Sequence, residues 1–181
     1  VTHAELVEIG RRWLLRPWRS GKGSGHGACR IILTELSAYT THGEIPDVLG
    51  FDSGKSHSIL IECKTSRADF LADAKKPFRT NPAQGIGTQR WFLVPAGVLT
   101  AEDLPENWGL LEIREAGTVV VVRESGIFEK NAQSEVQLLV STICRLNIES
   151  EGHVMIRAYL PLQKANKGKH KATFTIGEGE P

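Results

Sequence analysis

The sequence predicts one mixed α/β domain, and three features predict it. Amphipathic helical spacing opens the chain. Several short β-branched or apolar runs follow, bounded by Gly, Pro, Asp and Ser. A capped helix then falls between the third and fourth of those runs, so hairpin pairing gives way to a crossover and the central sheet is mixed, with helices flanking it. At 181 residues, 40% hydrophobic and 24% charged, the chain can fill one core and has little material for a second.

The elements are justified in order. Leu6, Ile9, Trp13 and Leu14 recur at helical spacing from Thr2 to about Leu15, with Arg11, Arg12 and Arg16 on the other face and at the end, before Pro17 stops the helix. Residues 20–27 (SGKGSGHG) are too rich in Gly for regular structure. Their Lys precedes a Gly and a strand-like run follows, which is not the G-x-x-x-x-G-K-[ST] order of a phosphate cradle leading into a helix. Residues 29–37 (CRIILTELS) read as a strand, Thr40 to Glu44 as a turn, and Pro46 to Phe51 as a second strand. Ser58 to Thr65 is a third strand, at first apolar on both faces and therefore central. Ser66-x-x-Asp69 caps a helix whose apolar stripe is Phe70, Leu71 and Ala74, and Pro77 closes it. Beyond a loop at 80–88, Arg90 to Pro95 is a fourth strand, and Trp108 to Arg114 and Thr118 to Arg123 turn about Ala116-Gly117. Ser134 with Gln137 caps a last helix bearing Val136, Leu139, Val140, Ile143 and Leu146. The domain is expected to span 1–150. Residues 151–181 form a C-terminal extension with a strand-like stretch, Val154 to Leu160, and a Lys/Gly-rich run for which no order is predicted.

Composition narrows the function classes. Cys29, Cys63 and Cys144 are odd in number and lack C-x-x-C spacing, which argues against a disulfide framework or zinc site and for a reducing cytoplasm. No apolar run reaches membrane-span length and no leader-like segment opens the chain, so a cytoplasmic protein without membrane contact is expected. Net charge is +1, unevenly spread: six Lys/Arg against two Glu in residues 1–30, 12 basic against 17 acidic in 31–160, and four Lys against two Glu in 161–181. An acidic middle between basic ends suits a metal-bearing centre with phosphate-gripping edges, and equally an ordinary solvated surface.

The residues that carry chemistry lie in IPDVLGFDSGKSHSILIECKT, residues 45–65. Glu62 and Lys64 are two apart on a strand and share a face, while Cys63 points to the other. Asp47 opens the neighbouring strand, where antiparallel pairing brings its carboxylate beside Glu62. Two carboxylates held together raise one another's pKa unless a cation sits between them. Mg²⁺ suits such a pair, because it keeps waters and phosphate oxygens as its other ligands, and a nearby Lys adds positive charge without binding the metal. Glu-x-Lys also decorates ordinary exposed strand ends, and Pro-Asp is a common turn.

Pro46-Asp47 followed by Glu62-Cys63-Lys64, on an α-β-β-β-α-β order, resembles the PD-(D/E)XK nucleases. Residues 62–79 (ECKTSRADFLADAKKPFR) are similar to the MmcB-like and phage-borne branch, closely over about 33–80 and generally to about 125. The resemblance implies a restriction-endonuclease-like core, Asp47 and Glu62 as metal ligands, and Lys64 positioning or activating the attacking water. For the extra upstream acid that many relatives use, Glu5, Glu8 and Glu35 are candidates. Glu35 is preferred as a catalytic and metal-binding group, being ionisable in an apolar run, against the alternative of a strand-edge carboxylate facing water. His42 and Glu44 sit in the preceding turn within reach of a supporting role.

Grip on a substrate would come from Arg11, Arg12, Arg16, Arg19 and Lys22, with Trp13 and Trp18 between them, and from Lys75, Lys76 and Arg79 after the capped helix. Core packing is the competing reading for both Trps. No sequence-reading module is visible, which favours weakly specific or structure-directed cleavage. The expectation is a Mg²⁺-dependent DNA endonuclease of repair, recombination or phage type, with Mn²⁺ substituting and a homodimer possible. The alternatives are an inactive nucleic-acid-binding module on the same fold and an RNA-directed nuclease.

Overall fold

The computed structural model describes residues 1–16, 29–35, 43–52 and 57–146. The Gly-rich loop, Trp18, Arg19, Lys22, His42 and the extension 151–181 lie outside the described residues. The chain divides into a unit Val1–Thr142, which holds the sheet, and a unit Ile143–Pro181. Among the described residues are six strands and four α-helices, so the protein is α/β with a mixed sheet. No helix among them is long and apolar enough to cross a membrane.

Helix α1 (His3–Leu15) begins on a reciprocal capping box in which the Glu5 amide donates to Thr2 Oγ1 at 3.3 Å and the Thr2 amide donates to Glu5 Oε2 at 2.7 Å. It buries Leu6, Val7, Gly10, Trp13 and Leu14. Strands β1 (Ile31–Thr34), β2 (Val48–Phe51), β3 (Ser58–Cys63), β4 (Gln89–Pro95), β5 (Gly109–Ile113) and β6 (Val119–Arg123) lie side by side in sequence order. β1-β2-β3 and β5-β6 pair antiparallel, while β3-β4 and β4-β5 pair parallel. The crossover from β3 to β4 carries helices α2 (Arg67–Asp73) and α3 (Pro77–Thr80), and α4 (Ala132–Leu146) follows the sheet.

Period-two alternation sorts the strands into two cores. Val48, Ile59, Ile61, Cys63, Trp91 and Leu93 pack against Leu6, Trp13 and Leu14 of α1. Leu49, Leu60, Phe92, Val94 and Leu110 pack on the other face with Phe70, Trp108, Phe128 and Leu138. Burying each large apolar side chain contributes roughly 1.5–3 kcal/mol. Trp13 is a core residue, meeting Trp91 edge-on at 5.6 Å between ring centres. α1 lies so close to the sheet that a Cβ at Gly50 would come within 2.7 Å of Cys29 Sγ and 2.8 Å of Leu14 Cδ1.

Four elements differ from the sequence expectation, each for a physical reason. β1 ends at Thr34 because Glu35 adopts a left-handed backbone (φ 47°), which breaks the extended run. Pro77 does not close the capped helix. α2 has already ended, Lys76 is extended (ψ 142°) as a residue before proline must be, and Pro77 starts α3 at its first turn. α2 turns Phe70 and Asp73 inward, leaving Leu71 and Ala74 exposed. α4 starts at Ala132 under Asn131, whose Oδ1 accepts from the Ser134 amide at 2.9 Å, so Ser134 is a buried first-turn residue instead of the cap.

At the amino end of β3 a buried clamp joins α4 to the sheet. Glu135 Oε1 accepts from Ser58 Oγ at 2.6 Å and from the Gly87 amide at 2.9 Å, and Oε2 pairs with Lys130 Nζ at 2.7 Å. Removing the carboxylate leaves the buried Gly87 amide without this acceptor and deprives Ser58 and the half-buried Lys130 of a partner. Glu135→Ala is expected to lower the unfolding free energy by about 3 kcal/mol, and Glu135→Gln by less because an acceptor remains; urea denaturation followed by circular dichroism checks both.

Candidate active site

Val48 of β2 stands opposite Ile61 of β3, so one further step along the antiparallel register places Asp47 opposite Glu62. Alternation puts both on the face of Leu49 and Leu60, which share one core. Asp47 Oδ2 accepts from the Cys63 amide at 2.7 Å, fixing its carboxylate across the end of β3. Cys63 itself packs beneath the sheet among the α1-side residues, where burial pushes its thiol far up.

Glu62 and Lys64 are buried, with side chains 2% and 6% exposed, and they belong to a closed circuit of alternating charge. Lys64 Nζ lies 3.2 Å from Glu62 Oε2 and 3.3 Å from Asp73 Oδ1. Arg79 Nε donates to Asp73 Oδ2 at 2.6 Å, and its Nη2 returns to Glu62 Oε1 at 3.0 Å. Outside the circuit, Glu44 accepts from Arg79 Nη1 at 2.7 Å and from the Ile86 amide at 2.9 Å, and Lys76 Nζ reaches Asp73 Oδ1 at 2.7 Å. The guanidinium also lies 4.8 Å from the ring centres of Phe78 and Trp108. Its partners come from three places: the loop before β2, the end of β3, and α2.

These contacts set the protonation states. Burial opposes charge on Lys64, but the carboxylates of Glu62, Asp73 and Asp47 outweigh it and hold the amine above its ordinary value, so Lys64 is a cation. Burial would likewise neutralise Asp73, yet Arg79 and Lys64, with hydrogen bonds from Lys76 and Arg79, hold it down at about 2. Asp47 goes the other way. Burial first and the Glu62 charge second push it up to about 6, against the Cys63 amide, Lys64 and His3. Glu44 is raised by burial despite Arg79.

Among the described residues no group of three or more His, Cys, Asp or Glu is arranged to hold a metal ion. Mg²⁺ does not require one, since one or two carboxylates, waters and phosphate oxygens complete its octahedron. Asp47 and Glu62 supply that minimum. Asp47 and Glu62 are hard oxygen donors of the kind Mg²⁺ takes, and the like charge of Glu62 raises Asp47, while both Glu62 oxygens also face cations of the protein itself, Oε2 at 3.2 Å from Lys64 and Oε1 at 3.0 Å from Arg79.

No family model matches the chain, and no curated protein matches it. Among solved structures, a protein of unknown function from Silicibacter pomeroyi is similar, at 29% identity and a TM-score of 0.48, over 68% of this chain and 82% of that one.

The other sequence candidates are placed as follows. Glu35 stands just beyond β1 with its side chain 58% exposed, and is linked to Asp47 through His3, whose Nε2 is 3.6 Å from Glu35 Oε1 and 3.5 Å from Asp47 Oδ1. Glu5 is held in the α1 cap, and Glu8 is taken up by Arg11 and Arg12 at 2.7 and 2.6 Å. Arg11 and Arg12 are therefore partly neutralised, while Arg16 is exposed. Lys75 and Lys76 are exposed after α2, and Lys76 is partly neutralised by Asp73 at 2.7 Å. Arg79 is not part of that cluster: its side chain is 3% exposed and spent on three carboxylates, which corrects its assignment as a nucleic-acid contact.

Sequence reasoning missed Asp73 and His3. Asp73 carried a readable signal, because an acid in the last turn of a helix opposes the macrodipole and calls for cations nearby. His3 carried none beyond its place in the first turn of α1.

Asp73 has its pKa lowered on folding, so its contribution to stability is complete above about pH 4 and is lost as pH falls toward 2. Asp73→Asn, which leaves Lys64 and Arg79 short of a counter-charge, is expected to cost on the order of 3 kcal/mol at pH 7. The gap to wild type should narrow below pH 4, as read from urea denaturation at a series of pH values.

Proposed function

We propose that this chain is a Mg²⁺-dependent nuclease that hydrolyses phosphodiester bonds in DNA, built on a restriction-endonuclease-like core. The observation that carries the reading is the meeting of Asp47 and Glu62 at one end of an antiparallel strand pair, with the Lys64 amine 3.2 Å from Glu62. The order α1-β1-β2-β3-α2, then β4 parallel to β3, supports it by matching the order in which the resembling nucleases carry these motifs.

Each residue has a distinct task. Asp47 and Glu62 would hold the cation, which supplies Lewis acidity at the phosphate and a more acidic bound water. Lys64, kept protonated by its carboxylate neighbours, holds positive charge beside the position a phosphate oxygen would take, orienting it and offsetting the charge that builds up there. Asp47 is the member of the pair open to solvent, its side chain 17% exposed, so the substrate approaches along the His3–Asp47 edge. Exposed Lys75 and Arg16 offer charge to the backbone without reading bases.

A second reading, the inactive binding module, draws on a specific observation: both Glu62 and Lys64 are buried and neutralised by internal partners. It predicts salt-sensitive binding without a metal-dependent product. Cleavage assays on single-stranded, duplex, forked and junction DNA, with RNA in parallel, decide between the readings. Wild type is expected to yield product only with Mg²⁺ or Mn²⁺, and Asp47→Ala to lose about a hundredfold or more in rate. Glu62→Gln is preferable to Glu62→Ala, because it removes the charge but keeps the side chain's volume and an acceptor oxygen for Lys64 or Arg79. An Asp47→Ala protein as active as wild type would refute the assignment, and product from RNA alone would redirect it.

A further inference from the structure

We infer that Asp73 and Arg79 are positioning residues of the proposed hydrolytic centre, holding Lys64 and Glu62 from behind. The inference rests on the nuclease reading and extends it to two side chains that touch neither cation nor substrate.

Glu62 and Lys64 each face the site through a flexible stem, and their mutual contact of 3.2 Å fixes neither orientation. Asp73 and Arg79 supply what that contact lacks. Asp73 Oδ1 lies 3.3 Å from Lys64 Nζ, Arg79 Nη2 lies 3.0 Å from Glu62 Oε1, and the two are bonded to each other at 2.6 Å. Each catalytic side chain therefore has one supporting partner of opposite charge, and the partners lock one another. Arg79 cannot swing out to solvent, since Glu44 anchors its second nitrogen at 2.7 Å and Phe78 and Trp108 lie against its plane. A rigid fork of this kind matches carboxylates in a way a point-charge ammonium does not. The supporting contact reaches the buried oxygen of Glu62 that makes no hydrogen bond, so Arg79 sets the orientation of that carboxylate by charge and packing. Groups that orient a ligating carboxylate typically govern metal affinity tenfold or more.

Direct Mn²⁺ binding, followed by the electron paramagnetic resonance of the free aqueous ion, tests this beside steady-state cleavage of duplex DNA. Arg79→Gln is expected to weaken Mn²⁺ binding about tenfold and to lower kcat with KM for DNA within about twofold. Because that variant can fail to fold, Arg79→Lys is the deciding arm. It keeps the charge and gives up the fork, and is expected to weaken Mn²⁺ binding about fivefold at unchanged stoichiometry. A merely structural role predicts the reverse, fewer competent molecules each with the wild-type dissociation constant, and that result overturns the inference. Wild-type affinity and kcat in Arg79→Lys overturn it as well. A wild-type protein that binds no Mn²⁺, or an Asp47→Ala protein that cleaves normally, overturns the nuclease reading and this inference together.

Discussion

Charge neutralisation inside the protein is the constraint on which this structure depends. Glu62, Lys64, Asp73 and Arg79 are all nearly sealed from solvent, and an isolated charge there would cost several kcal/mol. They tolerate burial because each stands between two neighbours of opposite sign. Deleting one corner takes a counter-charge from each of its two neighbours. Glu44 adds a carboxylate and Lys76 an ammonium at the margins, so the local balance does not rest on the four alone.

The sheet explains why the charges gather at one end. β3 pairs antiparallel with β2 and parallel with β4, and such a seam leaves room beyond the strand ends where a crossover begins. Its other end is closed by the Ser58–Glu135–Gly87 clamp. One strand is thereby pinned at its start and loaded with charge at its finish, with three consecutive apolar side chains between, Ile59 to Ile61.

Much of this was legible in the sequence where the governing rule is local. Alternation along β3 separated Glu62 and Lys64 from Cys63, and hairpin order brought Asp47 across from Glu62, because both follow from a period of two and a short connection. What escaped depended on distant partners or on a rule with two outcomes. Pro77 satisfies a helix stop and a helix start equally well, since its φ suits both. Leu71 reads as part of the apolar stripe and Asp73 has no place in that reading, yet a two-turn helix can turn only a narrow face inward, and the cations there pair with Asp73 while Leu71 stays exposed. Arg79 looked like any surface cation in a Lys-rich stretch. Its burial is dictated by Glu44, thirty-five positions earlier, which no local pattern reveals.

The short helix that Pro77 starts has a further consequence for how the protein assembles. All four corners of the charged circuit lie within residues 62–79, so only brief loops need close to bring them together, at small entropic cost. Nucleation of the centre thus asks little of the distant strands β5 and β6. Yet a residue inserted between Pro77 and Arg79 would turn the guanidinium about 100° around the axis of α3. Spacing in this segment is therefore under tighter geometric control than the identity of the exposed residues that fill it.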